Sequence, residues 1–279
     1  LESFIYANEK LALNAKITTL TRNPEAFLTE YPFYKEYTKV VHFVKGDILN
    51  YDFNIDDKFE FIIHAATASS EALNKSNPLL MMDTITIGTR KVLDFAISQP
   101  LEGFLFVSSG AIYGKQPWNQ THINENDSFK ININNSNSAY AEGKRIAELY
   151  SSTYFEKYNL PIKIARCFAF VGPYLPLDTH FAIGNFIKNA IKNEDIIIKG
   201  DGSTIRSYMY ASDLMVWLWN ILLKGEVNQA YNVGSDEGVS IKQLAEKISS
   251  ISSAKLAVKI LGSPVQKEHI DIYCPSITK

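Results

Sequence analysis

The 279-residue sequence predicts an α/β fold, a doubly wound parallel sheet followed by a smaller C-terminal lobe. Three observations carry that expectation. Short apolar runs alternate with segments of helical periodicity, the pattern of strands joined by crossover helices. Runs such as Phe104-Leu-Phe-Val107 are continuously apolar, as in strands covered on both faces. A chain of this length with 46% apolar residues can fill one large core, or a core with a lobe attached.

The elements follow in order. Glu2 to Lys10 reads as the tail of a helix, and Lys16–Leu20, Val40–Val44 and Phe59–Ile63 read as strands. Pro78–Ser98 places Leu80, Ile87, Val92, Leu93, Ala96 and Ile97 at helical spacing. Phe104–Val107 is the next strand and ends in Ser108-Ser109. Gln116–Asn137 is polar and rich in Asn, which predicts a surface loop over the site. Ser138 is the expected N-cap of a helix running to about Tyr158 and stopping before Leu160-Pro161. A strand from Ile162 to Phe170 follows, and Gly172-Pro173 with Pro176 breaks the pattern. Beyond it lie helices at Phe181–Lys192, Ser212–Leu223 and Ser240 to about Ser250, and strands at Asp195–Ile198 and Tyr231–Gly234. Residues 1–172 are therefore expected to form a dinucleotide-binding core. Residues 173–279 are expected to form mainly a substrate-binding lobe, with segments near 207–235 returning to the core.

Bulk properties narrow the function. A net charge of −2 and a pI near 6.3 give no basic footprint for nucleic acid or an anionic membrane. No apolar run approaches the ~20 residues that cross a bilayer. Cys167 and Cys274 lack metal-ligand spacing, so reduced thiols in a cytoplasmic setting are expected, with no metal site.

The chemistry concentrates in two segments. Tyr140 and Lys144 stand four residues apart, one helical turn. An ammonium beside a phenol favours phenolate and is expected to bring the Tyr140 pKa towards neutrality, where it can act as a general acid/base. The run ending in Ser109 delivers a hydroxyl to the carboxyl edge of a parallel sheet, where α/β ligand sites lie. His64 reads as a packed histidine at a strand end.

Ser108-Ser109 followed by Tyr113-Gly114, and then Tyr140-x-x-x-Lys144, resembles the extended short-chain dehydrogenase/reductase family of NAD(P)-dependent epimerases and dehydratases. Gly46-Asp47-Ile48 resembles its strand-end contact with adenine, and His64-Ala65-Ala66 its turn beside the cofactor. Pro78 to Gly88-Thr89, Arg166 to Gly172-Pro173, and Gly200 to Arg206 and Asp213 resemble three further family segments. The family's opening strand and glycine turn are not in this sequence, which is expected to be a piece of a longer chain.

The resemblance implies a Rossmann-type fold acting on a nucleotide-diphosphate sugar with NAD or NADP. It implies Ser109, Tyr140 and Lys144 as catalytic residues. Arg22, Asp47, Ile48, Ala65 and Ala66 join Tyr140 and Lys144 as cofactor contacts. Ser109, Arg206 and Lys267 are implied as substrate contacts. Arg22 stands where NAD-preferring relatives carry an acid, which favours NADP. Family dimers pair two helices per subunit, so a homodimer is expected through Pro78–Ser98 and Ser138–Tyr158, with Ile146, Leu149, Tyr150 and Tyr154 facing the partner.

Several departures matter. Gly110-Ala111 stands where 4,6-dehydratases carry Asp-Glu, Ala169 where relatives often carry Asn, and Gln266-Lys267 where they use Arg. The expected activity is therefore epimerisation through a transient keto sugar, or oxidoreduction of one. The alternatives are a decarboxylase or dehydratase drawing its acid from Glu125 or Glu142, and a non-catalytic dinucleotide-sensing protein.

Overall fold

In the computed structural model, which describes residues 1–53, 56–67, 71–178 and 181–279, parallel strands end along one edge. In chain order the elements are α1 (Glu2–Lys10), β1 (Ile17–Thr21), α2 (Pro24–Glu30), β2 (Val41–Lys45), β3 (Phe61–His64), α3 (Glu71–Ser76) and α4 (Pro78–Ala96). There follow β4 (Gly103–Ser109), α5 (Ala139–Tyr158), β5 (Ile162–Cys167), β6 (Phe170–Val171), α6 (Ala182–Lys192), β7 (Ile196–Ile198), β8 (Ile205–Arg206) and β9 (Met209–Tyr210). The chain finishes with α7 (Ala211–Lys224), β10 (Ala230–Val233), β11 (Val239–Ser240), α8 (Ile241–Ile251), β12 (Val258–Ile260) and β13 (Ile272–Tyr273).

The larger parallel sheet has the order β10-β5-β4-β3, and β1-β2 form a separate parallel pair. Alternation along β4 explains the double winding. Phe104 and Phe106 face α4 and α5 in a cluster with Met81, Ile85, Leu93, Ala147 and Ile164. Leu105 faces the other way, into a cluster with Ala165, Ile221, Leu222 and Val233 that α7 covers. Both faces of β4 are thus buried, as its apolar run predicts. β3 differs: Phe61 and Ile63 are 41% and 40% exposed, and among the described residues β3 pairs only with β4. The lobe has its own core, in which Ile183 and Phe186 of α6, Ile196 and Ile198 of β7, and Leu244 and Ile248 of α8 pack together. Ser240 starts α8 with a reciprocal capping box to Gln243.

Four expectations need correction. Ser138 makes no capping bond; its hydroxyl donates to the Asn132 carbonyl, and the Tyr140 amide donates instead to Asn74 Oδ1 at 3.2 Å. The loop before α5 is not purely superficial, since Gln116 and Ile123 are buried and Ile123 bridges to Pro275. The strand from Ile162 stops at Cys167, because Phe170–Val171 pairs with β9 rather than with the main sheet. Tyr154 does not face outward: it is 8% exposed, packs in the core and bonds the Asp94 carboxylate, whereas Leu149 is 66% exposed.

Helix α5 is fastened by Gly143, where a Cβ would stand 3.3 Å from Ile85 of α4, and by a buried ion pair. Arg166 of β5 meets Glu148 of α5 at 2.7 Å, and both side chains are nearly enclosed. Removing one partner of such a pair leaves an uncompensated buried charge. Arg166→Met should therefore lower unfolding stability by about 3–5 kcal/mol in urea titrations. A loss under ~1 kcal/mol, the value of a surface pair, would contradict this.

Candidate active site

The register of the main sheet sets the site. His64 pairs with Phe106, Ser109 with Cys167, and Val233 with Cys167 on its other side, so β3, β4, β5 and β10 end side by side. Ser109 closes β4, and its Oγ accepts from the Ala111 amide at 3.2 Å as the chain turns away. Tyr140 lies in the first turn of α5, with its phenol close enough to the Ser109 hydroxyl for that hydroxyl to act on its pKa. Lys144, 2% exposed, sits one turn further in.

The electrostatics differ from the expectation. The Tyr140 pKa is raised, not lowered. Burial raises it, the nearby Ser109 hydroxyl lowers it by less, and neighbouring Cys167 adds to the rise. Lys144 does not oppose this, because its ammonium donates to the Val107 carbonyl at 2.8 Å and lies 5.0 Å from the centre of the Phe106 ring. Burial lowers the Lys144 pKa to about 8, with Cys167 and Glu148 acting in the opposite sense. Burial likewise lifts the Cys167 thiol to about 12, offset in part by Lys144. His64 is a packed histidine: burial and then Lys144 lower it to about 3, and its Nε2 lies 2.9 Å from Thr89 Oγ1.

Behind these groups runs a network that the sequence did not reveal. Ser108 Oγ donates to Glu148 Oε1 at 2.5 Å, and Arg166 holds the other carboxylate oxygen. Arg166 also donates to the Tyr113 hydroxyl at 2.9 Å and the Glu125 carbonyl at 2.7 Å. Tyr113 donates to Asn232 Oδ1 at 2.6 Å, and the Asn232 amide donates to Glu125 Oε1. Ser108, Arg166 and Asn232 are cross-strand neighbours, a relation that only the register creates. A second missed residue is Tyr273 of β13, whose phenol stands over Gly110, the residue after Ser109: a Cβ there would lie 2.5 Å from Tyr273 Oη.

The remaining expected residues separate into two groups. Arg22, Asp47, Ala65 and Ala66 follow the carboxyl ends of β1, β2 and β3, where Arg22 and both alanines are exposed. Asp47 Oδ1 accepts from the Leu49 amide, and Ile48 packs against α4 beside Gly88. Arg206 lies on the lobe side and is already paired with Asp271 at 2.5 Å, besides donating to the Ile205 and Asp271 carbonyls. Lys267 lies on an exposed turn, and its side chain makes no ion pair or hydrogen bond among the described residues. The structure therefore brings Ser109, Tyr140 and Lys144 to the same end of β4 and α5.

The model of the NAD-dependent epimerase/dehydratase family matches residues 6–234. The chain belongs to that family. It is similar to UDP-glucuronic acid decarboxylase 5 of Arabidopsis thaliana, 28% identical over 229 residues that cover 78% of this chain and 62% of the relative. It is also similar to the dTDP-D-glucose 4,6-dehydratase of Dictyostelium discoideum, 29% identical over 219 residues that cover 75% of this chain and 50% of the relative. The chain thus spans about half to three fifths of the length of these relatives. Among solved structures it resembles UDP-N-acetylglucosamine 4-epimerase from Methanobrevibacter ruminantium, with a TM-score of 0.82 and 22% identity, covering 98% of this chain and 85% of that one. It also resembles dTDP-glucose 4,6-dehydratase from Bacillus anthracis in complex with NAD, with a TM-score of 0.79 and 21% identity, covering 99% and 84%. The fold is therefore the Rossmann-type architecture of this family. No helix among the described residues is long and apolar enough to cross a membrane.

The buried Lys144 ammonium sets a pH dependence. A base whose pKa falls on folding destabilises the folded state while it is protonated, and that cost fades as pH rises through the window between the two values. The stability of the wild type relative to Lys144→Met should rise from pH 8 to 10.5, by about 3 kcal/mol at 1.36 kcal/mol per unit. A difference that stays flat across this window in urea unfolding would contradict the buried charge.

Proposed function

We propose that the chain is the catalytic part of an NAD-dependent nucleotide-sugar epimerase or keto-sugar oxidoreductase. One observation carries this reading: Ser109 ends β4 at the carboxyl edge of a parallel sheet, Tyr140 opens the helix beside it near enough for Ser109 to act on its pKa, and Lys144 lies one turn behind. Family membership makes a nicotinamide dinucleotide the implied cofactor, and the residues present fit it. Ala65 and Ala66 are small and exposed, and the buried Thr67 hydroxyl has no partner among the described residues, so a ligand could satisfy it. Asp47, Ile48, Ala65, Ala66 and Lys144 would hold the dinucleotide. When bound, it supplies a hydride acceptor and donor. NAD is favoured over the NADP suggested by Arg22, because similar structures are named as complexes with NAD.

The chain's own groups then move and hold the proton. Tyr140, with its raised pKa, gives its proton to the keto oxygen during reduction; oxidation runs from the phenolate, formed when Tyr140 has released its proton to solvent, which then takes the proton of the sugar hydroxyl. Ser109 orients that oxygen. Arg206 would reach the substrate diphosphate, sharing its guanidinium with Asp271.

A second reading, decarboxylation of a UDP-uronate, is favoured by the names of the Arabidopsis relatives. Its extra acid would be Glu125, one oxygen of which accepts from the Asn232 amide, or Glu142, which pairs with Arg145 at 3.3 Å.

Tyr140→Phe keeps the ring and removes the proton. Turnover in the full-length enzyme should fall by at least ~10²-fold while NAD affinity stays unchanged. Near-normal turnover would take Tyr140 out of the reaction.

A further inference from the structure

Arg145 follows Lys144 on α5 and has no role in the reaction outlined above. Its side chain reaches out of the helix into the short turn that follows Ser109. Nε donates to the Ile112 carbonyl at 2.6 Å, and Nη2 donates to the Phe129 carbonyl at 3.1 Å. Nη1 meets Glu142 Oε1 at 3.3 Å, one turn back on α5. A guanidinium is a planar, rigid fork, so holding one arm from the helix aims the others. One side chain thus joins the helix of Tyr140 to the turn of Ser109 and to the returning end of the loop beyond it.

That turn sets the Ser109 hydroxyl. Gly110–Tyr113 is a single 3₁₀ turn, a form whose own hydrogen bonds are less well aligned than those of an α-helix. Ser109 caps it, with Oγ accepting from the Ala111 amide at 3.2 Å, so the Ser109 side chain follows the turn wherever the turn lies. At the far end the Tyr113 hydroxyl is fixed between Arg166 Nη1 at 2.9 Å and Asn232 Oδ1 at 2.6 Å. The Phe129 amide donates to the Tyr113 carbonyl at 2.8 Å. Gly114, at φ +83°, lets the chain fold back so closely that a Cβ would stand 2.9 Å from the Lys130 carbonyl. Tyr113 therefore ties the turn to β5 and β10, and Arg145 supplies the tie that runs to α5.

We propose, on the reading of Ser109 and Tyr140 as the pair that acts on the sugar oxygen, that Arg145 is a positioning residue which holds the Ile112 carbonyl against α5 and so sets the Ser109 hydroxyl relative to the Tyr140 phenol. Each of its three nitrogens is engaged by a protein acceptor, so it acts through the turn.

Arg145→Met keeps the aliphatic stem and removes the three bonds, and Arg145→Lys keeps a charge that can reach one carbonyl but not both. The first readout is amide hydrogen exchange by mass spectrometry in NAD-loaded full-length protein, on peptides spanning residues 109–114. Exchange there should quicken at least about tenfold in Arg145→Met, the loss of one charged hydrogen bond, while β3 and β10 stay as protected as in the wild type. The second readout is steady-state kinetics with UDP-glucose and UDP-glucuronate. In Arg145→Met, kcat should fall about tenfold with KM unchanged. In a Ser109→Ala background the same substitution should cost less than about twofold, because residues that act as a unit are not additive. Arg145→Lys should give intermediate values in both readouts. Unchanged exchange in the turn, a rise in KM alone, or an equal fall in kcat with the Ser109 hydroxyl absent would overturn the proposal. Normal turnover of Ser109→Ala by itself would overturn the underlying reading and the proposal with it, whereas the exchange result needs no turnover and decides separately whether Arg145 holds the turn.

Discussion

The site depends on the ion pair between Arg166 and Glu148. Glu148 stands one helical turn beyond Lys144 on α5, and Lys144 one turn beyond Tyr140, so fixing the carboxylate fixes the row. Glu148 Oε2 takes Arg166 Nη2 of β5 at 2.7 Å, and Oε1 takes the Ser108 hydroxyl of β4 together with Arg166 Nε at 3.2 Å. Helix and strands are thereby locked at the point where Ser109, the next residue along β4, must meet Tyr140. A buried pair of this kind adds little net stability over apolar packing, but it resists being pulled apart. Here it gives geometry: sliding α5 along the sheet would strand a charge.

The same enclosure shapes the proton chemistry. Burial that excludes water raises the Tyr140 phenol and lowers the Lys144 ammonium, so both groups are pushed towards their neutral forms. The Val107 carbonyl keeps the ammonium in place, and the Ser109 hydroxyl is the neighbour that opposes the rise at Tyr140. On the proposed reading, proton transfer at this edge is governed by burial and the nearby Ser109 hydroxyl more than by a direct phenol–ammonium contact.

The fold was legible because its signals are local. The apolar run at Phe104–Val107 and the periodicity of Pro78–Ser98 each describe a single element, and each element formed within a few residues of its expected bounds. The Ser109, Tyr140 and Lys144 cluster was legible because two of its members share a helix turn and the third ends a strand. What escaped was set by long-range pairing. Tyr154 looked outward until α4 supplied Asp94, and Ser138 looked like a cap until Asn74 of α3 took that place. The direction of the Tyr140 shift reversed because spacing records proximity along a helix and says nothing of the Val107 carbonyl that holds Lys144. Tyr273 comes over Gly110, beside Ser109, only through the pairing of β13 with β8.

The most direct test follows the nicotinamide itself. Full-length protein loaded with oxidised NAD is mixed rapidly with UDP-glucose, UDP-glucuronate or dTDP-glucose, and the absorbance band of reduced nicotinamide is followed. The expected result is a transient or lasting rise of that band with at least one of these sugars, slowed as pH falls and Tyr140 holds its proton more firmly. A protein that binds both NAD and the nucleotide sugar, yet shows no reduced nicotinamide with any of them at any pH, would contradict hydride transfer at this edge.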